Sequence, residues 1–133
     1  MIRLSLLMLS ALVGVVSAPL SAAQTTAMSP SAVYMELFTA TKNATSFDQI
    51  APYLNEALRN GLAPEVRGRW FSRFKETMNL TDLKVTKESI QGDMCSLTAT
   101  AKRSSGKPAT GKIDLLKRNG EWKFDDQFWS DAP

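Results

Sequence analysis

Leu115-Leu116-Lys117-Arg118-Asn119-Gly120-Glu121-Trp122-Lys123-Phe124 decides the fold. Two alternating runs meet at Asn119-Gly120, the strongest short signal for a tight hairpin, because both residues tolerate the positive φ that such a reversal demands. Working outward, the same alternation extends in both directions. Cys95, Leu97, Ala99 and Ala101 alternate with Ser96, Thr98 and Thr100, as on a strand with one buried face. Gln91-Gly92-Asp93 and Ser104-Ser105-Gly106 supply two more reversals. Four strands follow, at about Leu83 to Gln91, Asp93 to Arg103, Lys107 to Lys117 and Glu121 to Trp129, joined as an antiparallel meander.

Upstream of Leu83 the period is helical. Ser29-Pro30 reads as an N-cap followed by proline at the first helical position, and Val33, Leu37 and Ala40 carry that helix to about Lys42. Ser46-Phe47-Asp48-Gln49 has capping-box spacing and predicts a short helix anchored by Tyr53, Leu54, Ala57 and Leu58, stopped at Asn60-Gly61. Ala63-Pro64-Glu65 opens a third helix whose Val66, Trp70, Phe71, Phe74 and Met78 fall on one stripe. Helices first and strands second is the α+β pattern, with the helices on one face of the sheet.

The chain has 133 residues and begins with Arg3 followed by an uncharged, mostly apolar run from Leu4 to Val16. Ser21-Ala22-Ala23 offers the small residues of a signal-peptidase site, which predicts export, cleavage after Ala23 and a periplasmic or secreted protein starting at Gln24. A membrane anchor would need about 20 apolar residues, and Ser10, Gly14, Ser17 and Pro19 interrupt the run. Residues 1–23 are therefore read as a signal peptide, 24–28 as a flexible leader and 29–133 as one domain. No membrane span is expected after cleavage.

A formal net charge of +3, one unit of it from Arg3, is too small to point to nucleic acid. With no His and a single Cys, the chain cannot build a Cys-His or Ser-His nucleophile, a His-bearing zinc site or an internal disulfide. Cys95 is read as a buried side chain. No cofactor, metal or catalytic motif is predicted. Asp125, Asp126 and Asp131 make no cation site on this reading, since strict alternation sends Asp125 and Asp126 to opposite sides.

The helical N-terminal half, Ile90-Gln91-Gly92-Asp93-Met94-Cys95 leading into an alternating strand, and the closing Gly120-Glu121-Trp122-Lys123 hairpin together resemble the NTF2-like superfamily. The likeness is greatest to its small exported DUF4878-type and lumazine-binding-like members, and it covers nearly all of Ser29 to Trp129. The resemblance implies a curved four-stranded antiparallel sheet wrapped around the helices as a cone, often with a pocket and often homodimeric through the sheet. Enzymes of that family use a carboxylate base or a His-Asp pair in the cone. The His half has no counterpart here.

Two charges fall on apolar faces. Arg67 lies near the centre of the third helix's stripe, and unbroken alternation puts Asp126 with Trp122, Phe124 and Phe128. A charge so placed must be paired, wetted by a cavity or near an element's end. On the functional reading Arg67, Trp70, Trp122 and Asp126 line a pocket; on the bland one Arg67 snorkels and Asp126 meets solvent. The opposite sheet face would carry Trp129 beside Lys123, Asp125 and Gln127, with Thr98 and Thr100, as a partner surface. Beside a structural accessory domain that merely homodimerises through its sheet, two functional classes follow. One is an exported, soluble, non-catalytic binding module that engages a cell-envelope protein or a small apolar ligand, for example as a periplasmic immunity or inhibitor protein. The other is a small cone-fold isomerase or lyase using Asp126 as its base and Arg67 as support.

Overall fold

The computed structural model describes residues 28–132. The signal peptide read over 1–23, most of the 24–28 leader and Pro133 lie outside these residues. Helix α1, Pro30–Asn43, begins as its sequence dictates, with the Ser29 hydroxyl accepting the Ala32 N–H at 3.2 Å. Its buried stripe is Tyr34, Leu37, Phe38 and Thr41, and the Thr41 hydroxyl is satisfied by the Leu37 carbonyl at 2.7 Å.

The short second helix is not continuous. The capping box at Ser46 and Gln49 is present, but it opens a 3-10 turn, Phe47–Gln49, followed by another at Ala51–Tyr53. Pro52 lies in that second turn, and Leu54 then leaves helical geometry to bridge Phe124 of the last strand. Asn55 restarts the chain as α2, Glu56–Gly61, its side chain accepting the Ala57 N–H at 3.0 Å. Helix α3, Pro64–Thr77, buries Phe71 and Phe74, with Met78 buried at its end and Val66 and Trp70 half-buried.

Four strands follow: β1, Leu80–Gln91; β2, Met94–Arg103; β3, Pro108–Arg118; and β4, Glu121–Asp131. They form one antiparallel sheet in the order β1-β2-β3-β4, the predicted meander. Asn119 and Gly120 have φ of 53° and 80°, as a reversal between β3 and β4 requires. β1 starts earlier than its alternation suggests, because Leu80 is buried and its carbonyl accepts the Lys42 ammonium at 2.8 Å.

The inner face of the sheet carries Leu97, Ala99, Ile113, Leu115, Trp122 and Phe124, all buried against the helices. Phe124 stands at their meeting point, 6.5 Å from the Tyr34 ring and 5.4 Å edge-on to Phe74. Phe74 in turn stacks on Trp70 at 4.9 Å. Register shifts interrupt the ladders in β1 and in β4, and such irregularities bend a sheet. The result is the α+β cone that the NTF2-like resemblance implies, with aromatic side chains filling its middle.

Candidate functional site

One residue in β4 rearranges everything downstream of it. Leu115 pairs with Phe124 and Asp114 with Asp126, so Asp125 is an extra residue in the ladder. An extra residue breaks the two-residue period, and every later side chain changes face. Asn55 fixes the bulge: its N–H donates to the Phe124 carbonyl at 2.8 Å and its amide to the Asp125 carboxylate at 2.7 Å.

The faces read from unbroken alternation are therefore corrected beyond Phe124. Asp126 is exposed and lies opposite Asp114 on the outer face, its carboxylate accepting the N–H of Gln127 at 2.8 Å. Gln127 and Trp129 turn inward, opposite Ile113 and Gly111. Trp129 is half-buried against the core and donates its indole N–H to the Gln127 side-chain oxygen at 3.1 Å. The same oxygen accepts the Tyr34 hydroxyl at 2.6 Å. Burial pushes the Tyr34 phenol well above its usual range, so this hydroxyl stays a proton donor at neutral pH.

Phe128 turns outward, with 70% of its surface exposed. It lies opposite Lys112, which lies opposite Thr98 in turn, and Lys112 donates to the Thr98 hydroxyl at 3.1 Å. Thr100 and Thr110 form the adjacent row with Ser130. This part of the outer face is thus threonine-rich, and the Phe128 ring projects from it. Thr98 and Thr100 stand where the sequence places them, but Phe128 takes the position expected of Trp129.

The four residues read as a pocket do not converge. Trp70 and Asp126 do line a common open cleft of about 250 Å³ between α3 and β4, with Arg73, Phe74, Asp125 and Gln127. Arg67 is not part of it. Its guanidinium donates to the Leu62 carbonyl at 2.9 Å and lies 5.4 Å from the Phe47 ring centre, which is the snorkelling alternative. Trp122 is buried, with the Lys117 ammonium 5.7 Å from its ring centre. A carboxylate held in an apolar cone, the requirement for Asp126 as a base, is not what its exposed position provides.

Asp125 and Asp126 diverge, Asp125 engaging Asn55 of the helical half and Asp126 lying exposed opposite Asp114. No group of three or more acidic, His or Cys side chains among the described residues is arranged to hold a metal. The acidic charges are nevertheless felt at Asp114, whose carboxyl is raised by partial burial, then by Asp126 and Asp125. A carboxyl raised by folding is less stable ionised in the fold, so it lowers stability as pH climbs through the carboxylate range. Asp114→Asn is expected to raise the urea midpoint at neutral pH, and the gain is expected to vanish below about pH 3. Cys95 is buried as read, and burial, followed by the charge of Glu88, pushes its thiol up.

Strict alternation gives no place to the outward Phe128, the inward Gln127 or the contact of Gly111 with Trp129. Asp125-Asp126 inside an apolar alternation, and a glycine in mid-strand at 111, were the available signals: the first marks a bulge and the second a close approach.

No family model and no curated protein matches the chain. Solved structures do. A SEC-C motif containing protein from Rhodopseudomonas palustris is 22% identical with a TM-score of 0.51, over 75% of this chain and 77% of that one. An NTF2-like protein of unknown function from Shewanella baltica is 16% identical with a TM-score of 0.48, over 83% of this chain and 99% of that one. A de novo designed NTF2 fold protein is 22% identical with a TM-score of 0.43, over 76% and 87%. At such identities the likeness concerns the fold.

Proposed function

We propose that the chain is an exported, non-catalytic binding module of the NTF2-like superfamily that engages a protein partner through the outer face of its sheet, with Phe128 as the anchor. The observation that carries this reading is the 70% exposure of Phe128 on the outer face, in a row with Lys112 and Thr98 and beside the row of Thr100, Thr110 and Ser130. A large aromatic held in water by a strand register is unfavourable in the free protein, and interface anchors are commonly such rings set in polar surroundings. The export reading rests on the residues around Arg3 and Ala23. The DUF4878-type assignment and the role of immunity or inhibitor protein toward a cell-envelope enzyme belong to the same proposal, motivated by compartment, size and the lack of His. Small apolar ligands are a weaker fit to the inside of the cone, where the rings of Tyr34, Phe74 and Phe124 pack together.

The test compares immobilised wild-type protein with the Phe128→Ser variant in an envelope extract. Phe128→Ser is expected to leave the unfolding free energy within about 0.5 kcal/mol of wild type, as for an exposed site, while abolishing capture of the partner. Equal capture by both proteins would remove the outer face from the account. Sedimentation of the purified wild type separates the homodimer: self-association that Phe128→Ser abolishes would make the partner a second copy of the chain.

A further inference from the structure

A second site lies away from the sheet, where the C-terminal ends of α1 and α3 approach one another. There an open cleft of about 620 Å³ is lined by Lys42, Phe71, Ser72, Lys75 and Met78, with Glu76 among its polar groups. That volume lies within the range of small-molecule sites. Its two lysines are held in place from opposite sides. Lys42, from α1, donates to the Leu80 carbonyl at 2.8 Å and lies 4.8 Å from the Phe38 ring centre. Lys75, from α3, donates to the Ala44 carbonyl and lies 5.9 Å from the Phe71 ring centre.

Each ammonium has three N–H donors, and one of them is committed to a backbone carbonyl. Among the described residues neither lysine makes an ion pair. Carbonyl contacts and the flanking rings fix both side chains, so little rotamer entropy remains to be lost when an anion arrives. Against these two cations the lining sets a single carboxylate, Glu76. Phe71 and Met78 lie beneath the lining with only 7% and 1% of their surface exposed, and the long methylene stems of Lys42 and Lys75 add apolar surface to it.

We infer that this cleft binds an organic carboxylate with an apolar body, Lys42 and Lys75 holding the carboxylate while their methylene stems and Phe71 flank the hydrocarbon. This site is independent of the outer-face reading and uses none of its residues. A neutral oxygen answers the remaining ammonium donors with weaker hydrogen bonds and a cationic head repels them, so the charge decides selectivity.

The probe is octanoate, titrated into the isotope-labelled protein and followed by amide and methyl NMR shifts, with octanol and octylamine as controls. Saturable shifts confined to the cleft are expected with octanoate, and none with octylamine. Ser72→Trp, at an exposed position on the cleft wall, is expected to fill the space and abolish binding without changing the fold. Lys42→Met and Lys75→Met are each expected to weaken binding about tenfold, the scale of one lost charged hydrogen bond. No saturation with octanoate, equal binding of octanol, or unchanged binding in a folded Ser72→Trp protein would overturn the inference. Should Ser72→Trp fail to fold, the lysine variants and the octanol control decide alone.

Discussion

Phe124→Ala is expected to lower stability by about 3–5 kcal/mol, the range for emptying a large aromatic site in a core. Phe124 is buried and contacts both layers at once, stacking near Tyr34 and meeting Phe74 edge-on. Its backbone bridges Leu54 and accepts the Asn55 N–H, so the cavity opens beside a backbone contact that ties the helical half to β4. Relaxation into the space is restricted, because the rings around it are themselves fixed by neighbours: Phe74 by Trp70, Tyr34 by Gln127. Urea denaturation checks the figure. A loss under about 1 kcal/mol would mean that the site collapses freely and that the cone is not filled as described.

Gly111→Ala has the second large effect. A Cβ at Gly111 would stand 2.5 Å from a ring carbon of Trp129 and 2.7 Å from two more, so the indole must move. Displacing it breaks the indole hydrogen bond to Gln127 and disturbs the oxygen that the Tyr34 hydroxyl shares. Forcing extra volume into a filled site costs about 1–3 kcal/mol. Thermal or urea unfolding of the variant measures it, and a neutral outcome would place the Trp129 ring elsewhere.

Most of the architecture is legible without coordinates, because its signals are local and agree with one another. Asn119-Gly120 admits one kind of reversal, Ser29-Pro30 one kind of helix start, and the alternation from Cys95 to Ala101 one buried face. The second helix is misread for a tertiary reason: Leu54 gains a bridge to Phe124, seventy positions away in the chain, and leaves helical geometry to reach it. The candidate site is misread for a related one. Period-two patterning carries no information about an extra residue, and the bulge at Asp125 is stabilised by Asn55, which the helical half supplies. From Asp126 onward each side chain is therefore assigned to the wrong face by simple alternation, and the exposed aromatic becomes Phe128 in place of Trp129. Arg67 was legible only as an anomaly. Its resolution, a hydrogen bond to Leu62 and a ring contact with Phe47, depends on loop residues whose positions no periodicity records.

The account rests on the register of β4, and a double-mutant cycle across the sheet measures it directly. Gly111→Ala is combined separately with Trp129→Ala and with Phe128→Ala, and the unfolding free energies are compared. In the observed register Trp129 lies over Gly111, so the cost of Gly111→Ala is expected to disappear in the Trp129→Ala background and to persist unchanged with Phe128→Ala. Without the bulge Phe128 would occupy that place. Coupling of Gly111 to Phe128, with none to Trp129, would contradict the register, and with it the outward Phe128 on which the proposed binding face depends.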